Sequence, residues 1–150
     1  MDCLNLLTEL RGASAAFTDI YDSPEIMEHF MDWSVKVNMQ VFDAQVEILK
    51  NFTGRVYGGH PFEKYAYSRI PNLSVDAYGM CRPGIYERWG LPQHQKIVSR
   101  YGGGRFHIHA NGRNLCEFVS RIEGLNYCDM NDDAGFPKAC DIAGELKKRM

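Results

Sequence analysis

The sequence predicts an α/β domain built around a short parallel sheet. Three segments, 72–77, 105–109 and 126–130, alternate apolar and polar residues as half-buried strands do. Pro- and Gly-punctuated amphipathic stretches separate them, giving the order strand, helix, strand, helix, strand, helix. That order favours parallel pairing through crossover helices. Each strand also ends on residues able to do chemistry: Asp76, then His107 and His109, then Asp129. In parallel sheets the C-terminal strand ends are where ligands sit.

Taken in order, Leu4 to Leu10 reads as a helix stopped by Gly12. Ser23-Pro24-Glu25 is a strong helix start, with an N-cap residue, a proline at N1 and an acid in the first turn. Behind it Ile26, Phe30, Trp33, Val37, Val41 and Leu49 recur at helical spacing, so one long helix should reach about Asn51 with this stripe as its core face. Thr53 to Pro71, broken by Gly58-Gly59-His60-Pro61 and rich in tyrosine, reads as an aromatic excursion at a site rim. Asn72 to Ala77 is the first strand. Pro83 opens a helix to about Tyr101, restarted or kinked at Pro92. Gly102-Gly103-Gly104 then breaks the chain before the strand Arg105–His109. The turn signal Asn111-Gly112, a helix over Arg113–Arg121, a strand over Asn126–Met130, the acidic loop Asn131-Asp132-Asp133 and a helix from Pro137 to Lys148 complete the pattern.

The 150 residues suit one domain large enough to bury a core. A hydrophobic fraction of 45% and a charged fraction of 24% are those of a globular protein. The net charge of −2 and the lack of a Lys/Arg run argue against nucleic acid and against an anionic membrane. No transmembrane-length apolar run or signal-like opening is seen. The five cysteines are scattered without a CxxC pair, which points to reduced thiols in a cytoplasmic protein.

His107 and His109 are two apart on a strand and so share a face. Two imidazoles at a strand end are metal ligands or an acid/base pair. The adjacent turn Asn111-Gly112 brings backbone close to any ligand held there.

The run His107-Ile108-His109-Ala110-Asn111-Gly112-Arg113, followed by Ile122-Glu123-Gly124-Leu125-Asn126-Tyr127, resembles a signature of the uroporphyrinogen decarboxylase superfamily. Further stretches agree in order: Leu10-Arg11-Gly12 before Tyr21-Asp22-Ser23-Pro24-Glu25, then Ser74-Val75-Asp76, Pro83, Leu91-Pro92, Asp132-Asp133 and Glu145-Leu146-Lys147-Lys148-Arg149. The superfamily includes the tetrapyrrole decarboxylase of porphyrin biosynthesis and zinc-dependent methyltransferases acting on methylated corrinoid proteins.

The resemblance implies a (β/α)8 barrel about twice this length, of which this chain would supply a middle-to-late portion, a partial barrel. For the methyltransferase branch it implies zinc on His107 and His109, with a corrinoid or thiol substrate. Asn111, Gly112 and Arg113 would lie at the bound group, and Asp76 and Asp129 would be the acid/base or orienting carboxylates. The family's distal cysteine would fall beyond Met150, and Cys128 on the neighbouring strand is the candidate in its place. The methyltransferase branch uses an H-x-C zinc pair, so His109 puts an imidazole in place of a thiolate, an exchange zinc accepts. The other departures concern the decarboxylase branch. Thr8 stands where that enzyme has a tyrosine, and Asp76 stands near its substrate-binding serine. The slight acidity also gives no cradle for a polyanionic tetrapyrrole. The alternatives are therefore a lyase of the decarboxylase type, or an inactive portion acting as a binding or oligomerisation module. A partial barrel has open strand edges, and the long helix adds Met27, Phe30, Met31 and Trp33, so a homo-oligomer is expected.

Overall fold

The computed structural model describes residues 2–53 and 70–141. Three helices come first: α1 (Cys3–Arg11), α2 (Ala13–Asp22) and α3 (Pro24–Thr53). Then follow β1 (Asn72–Ser74), a 3-10 turn (Tyr78–Met80) and α4 (Pro83–Ile85). A π turn (Tyr86–Gly90) connects α4 to α5 (Leu91–Tyr101), and β2 (Arg105–Ile108) comes next. A second 3-10 segment (Ala110–Leu115), α6 (Cys116–Val119) and β3 (Tyr127–Met130) follow. The three strands form one sheet in the order β1-β2-β3, and both pairings are parallel. This is the α/β architecture with a parallel sheet that the alternation predicts.

The local signals act where expected, with three adjustments. Asp2 caps α1, its Oδ1 accepting from the amides of Leu4 and Asn5. Gly12, at φ +83°, ends α1 in a conformation that side-chain-bearing residues rarely adopt. The chain turns there and restarts as α2, a helix the sequence reading leaves out. Over 83–101 the helix is continuous but widens to a π turn just before Pro92, because a proline cannot donate into the preceding turn. The helix expected over Arg113–Arg121 is instead a 3-10 segment followed by one α-helical turn. The aromatic excursion falls mostly on 54–69, outside the described residues. Of the helix expected at 137–148, only 139–141 is described as helical, and the remainder lies outside.

The sheet has two unlike faces. In-register partners share a side, so Leu73, Phe106 and Cys128 line one face, and Ile108 and Met130 continue it into the core. Arg105, His107 and Asp129 occupy the other. Phe106 and Leu73 are fully buried. Against them packs His94 of α5, edge-on to Phe106 with centroids 5.0 Å apart and its Nδ1 3.0 Å from the Tyr86 hydroxyl.

The long helix corrects the sequence reading. α3 meets the core through Met27, Met31, Ser34 and Val35. Ile26, Trp33 and Val41, read from the periodicity as core, are exposed. Polar contacts fix the helix against α5: Asp43 accepts from Arg100 at 2.6 Å and from the Tyr101 hydroxyl at 2.8 Å, and Asp32 pairs with Lys96 at 3.1 Å.

Two buried groups set opposing pH dependences. Burial pushes the His94 imidazole down to about 3. As pH falls below about 6.5, the unfolded chain takes up a proton that the folded chain refuses. Stability from this residue is therefore present above that pH and lost towards about 3. Burial pushes the Asp2 carboxyl up to about 7, so its contribution is present below about 3.9 and lost as pH rises to about 7. The two slopes offset each other between about 3.9 and 6.5. Urea unfolding of wild type and His94→Gln across pH 4 to 7 isolates the histidine. Relative to the variant, wild type should lose up to about 1.4 kcal/mol per pH unit below about 6.5. Parallel curves for the two proteins would refute this assignment.

Candidate functional site

β2 carries His107 on the polar face of the sheet, and His109 follows in extended backbone (φ −76°, ψ 162°), so the strand parity persists beyond the strand end. The two imidazoles converge. Their Nε2 atoms lie 3.2 Å apart, with the rings perpendicular at 89° and centroids 4.8 Å apart.

Each outer nitrogen faces a carboxylate. His107 Nδ1 is 2.8 Å from Asp129 Oδ2, and Asp129 Oδ1 accepts from Arg105 Nε at 2.6 Å. Because Asp129 and His107 are in-register partners on β3 and β2, the parallel pairing itself sets this contact. His109 Nδ1 lies 3.3 Å from both oxygens of Asp133 and 3.3 Å from the Asn131 side-chain amide. The Ala110 amide donates to Asp133 Oδ2 at 2.7 Å. Burial pushes the Asp129 carboxyl up, but the hydrogen bonds from Arg105 and His107 outweigh it and hold the group below the usual carboxylate range. The Ala110 amide, with help from His109, holds Asp133 low in the same sense.

Two proton arrangements follow from these contacts. With Nδ1–H directed at a carboxylate on both rings, the two Nε2 lone pairs face one another, which is the state a cation would join. With one proton on His109 Nε2 instead, the rings share a hydrogen bond and Asn131 donates to the freed Nδ1. Asp129, His107, His109 and Asn131 then form one continuous chain of hydrogen bonds.

An open cleft of about 620 Å³ adjoins His109, lined by Asp76, Asn111, Asp133, Phe17 and Phe136 among others. Asp76 sits in the turn after β1, and its Oδ1 is buried without a hydrogen-bond partner among the described residues. The fold thus brings His107, His109 and Asp129 into contact and sets Asp76 and Asn111 around the adjoining cleft.

The other expected residues lie elsewhere. Gly112 is packed beneath Gly79, where a Cβ on Gly79 would come within 3.1 Å of Gly112 Cα. Arg113 turns towards the loop after β3, donating to the carbonyls of Asn131 (2.8 Å) and Pro137 and lying 3.7 Å from Asp132. Cys128 is the correction. It pairs in register with Phe106, not His107, so strand parity sends its thiol to the core face. Burial pushes that thiol up to about 12. Arg105, Asn131 and Asp133 are the site residues that the sequence reading passed over. The acidic loop following the third strand was the signal available for Asp133. Among the described residues, no group of three or more His, Cys, Asp or Glu is placed to hold a metal ion, so the pair offers two donors.

No protein-family model, curated protein or solved structure matches this chain. Among the described residues no helix is long and apolar enough to cross a membrane.

Proposed function

We propose that the chain is a portion of a uroporphyrinogen decarboxylase-like (β/α)8 barrel, and that its site is half of a zinc centre for methyl transfer between a corrinoid and a thiol. The observation that carries this reading is the convergence of the two Nε2 atoms while a carboxylate sits at each Nδ1. Two nitrogens on one tetrahedral zinc stand about 3.4 Å apart, given Zn–N of about 2.1 Å. The 3.2 Å found between them fits two corners of that tetrahedron. Zinc, when bound, would supply Lewis acidity that makes a thiol available as thiolate at neutral pH.

The chain's own residues do the rest. Asp129, anchored by Arg105, fixes the tautomer and direction of His107, and Asp133 does the same for His109. The cleft beside His109 admits the acceptor, and Asp76, with its unpartnered buried oxygen, takes up the proton an entering thiol releases. The partial-barrel reading is supported by the polar sheet face bearing Arg105, His107 and Asp129, which corresponds to the lumen side of a barrel. The decarboxylase alternative has less support, because Asp76 and Asp133 line the cleft where a polycarboxylate would need cations.

Cobalt(II) provides the test, since it replaces zinc and is visible. One equivalent should bind at neutral pH, and a small thiol added afterwards should produce a sulfur-to-cobalt charge-transfer band. Absence of a stoichiometric cobalt site, or a site indifferent to thiols, refutes the proposal.

A further inference from the structure

α3 carries a second apolar stripe that no described residue of the fold covers. Ile26, Trp33, Val41 and Ile48 are 62%, 43%, 50% and 65% exposed, Ala44 is exposed, and Phe30 and Val37 between them are half-buried. The spacing from Ile26 to Ile48 is four, three, four, four, three, four. At about 100° per residue this line stays on one side of the helix, about 120° from the face formed by Met27, Met31, Ser34 and Val35. A third side carries His29, Lys36 and Gln40. Alternating four- and three-residue steps make a seam on which a second helix packs knobs into holes. The stripe runs about 33 Å at 1.5 Å per residue, far longer than a scatter of single surface residues. The largest apolar patches on monomers are commonly interaction sites.

We propose that this stripe is a homodimer interface in which α3 packs antiparallel against α3 of a second copy, with Val37 at the two-fold axis. The stripe's own sizes select this occupant. Antiparallel pairing about Val37 sets residues whose numbers sum to 74 opposite each other: Ile26 against Ile48, Phe30 against Ala44, Trp33 against Val41, and Val37 against itself. Bulky aromatics from the first half thus meet small residues of the second half. Parallel pairing would stack Phe30 on Phe30 and Trp33 on Trp33, and would leave Ala44 facing Ala44 across a void. Charge agrees with the same choice: the antiparallel arrangement opposes the two helix macrodipoles, whereas the parallel one would align them. The symmetry is that of a closed two-fold dimer, so assembly stops at two.

Single cysteines test both the contact and its direction, introduced into the full chain carrying Cys140→Ser, since Cys140 is exposed. Under mild oxidation Val37→Cys should cross-link to a dimer and Ile26→Cys should not. Light scattering over increasing concentration should show a dimer for wild type and a monomer for Val41→Glu, with unchanged circular dichroism because Val41 is outside the core. The Trp33 emission of wild type should shift to the blue as the dimer forms. A wild type monomeric at high micromolar concentration would overturn the proposal and assign the stripe to another partner. Cross-linking at Ile26, with or without cross-linking at Val37, would overturn the antiparallel arrangement.

Discussion

Replacing Phe106 by alanine should cost about 3–5 kcal/mol of folding stability. Phe106 lies at the centre of the middle strand, has no exposed surface, and is flanked in register by Leu73 and Cys128. Its ring meets the His94 imidazole edge-on, and the helix bearing His94 is tied to α3 through Arg100–Asp43, Tyr101–Asp43 and Lys96–Asp32. A lining that cannot collapse adds a cavity term to the lost transfer energy. Domains of this size hold about 5–15 kcal/mol in total, so the variant should sit near the edge of unfolding at 25 °C. Urea unfolding at constant m-value measures the difference. Ile26→Ala in dilute solution, outside the core, serves as the control and should change little. A loss below about 1 kcal/mol at Phe106 would mean that the sheet is not the centre of the core.

The other large effect is on metal affinity. His107→Ala or His109→Ala should each abolish the cobalt site, because one remaining imidazole cannot chelate. Asp129→Asn should keep both ligands and still weaken binding about 10–100-fold by releasing the His107 tautomer. Cys128→Ser should leave affinity unchanged, since the thiol lies on the other face. Affinity should also decline in acid, where protons compete for the ring nitrogens. Equal affinities for wild type and the two alanine variants would locate any bound metal elsewhere. A loss on Cys128→Ser matching that at His107 would reverse the strand-face assignment.

Residues whose neighbours in sequence determine their environment were readable. The strand cores Asn72–Ser74, Arg105–Ile108 and Tyr127–Met130, the helix start at Pro24 and the stop at Gly12 all follow from local alternation and backbone chemistry. The shared face of His107 and His109 follows from a strand period of two. What failed depended on distant parts of the chain. Periodicity finds an apolar stripe on α3 but cannot say which of the helix's two stripes meets the core. The cysteine at 128 looked like a ligand by type and strand, but register with Phe106 decided otherwise. Asp133 meets His109 where the Asn131–Ile108 backbone bond, the Ala110 amide and Arg113 together hold the loop after β3 over the strand end, contacts with no local trace.

That last contact gives the two histidines unequal mechanical support. His107 is held by a neighbour inside the sheet, where the ladder of backbone bonds fixes the distance. His109 is steered by a loop joined to β2 by one backbone bond, from the Asn131 amide to the Ile108 carbonyl, and beyond it by contacts that involve side chains. The pair therefore has one member set by the ladder and one set by a loop, and the cleft opens on the loop-supported side.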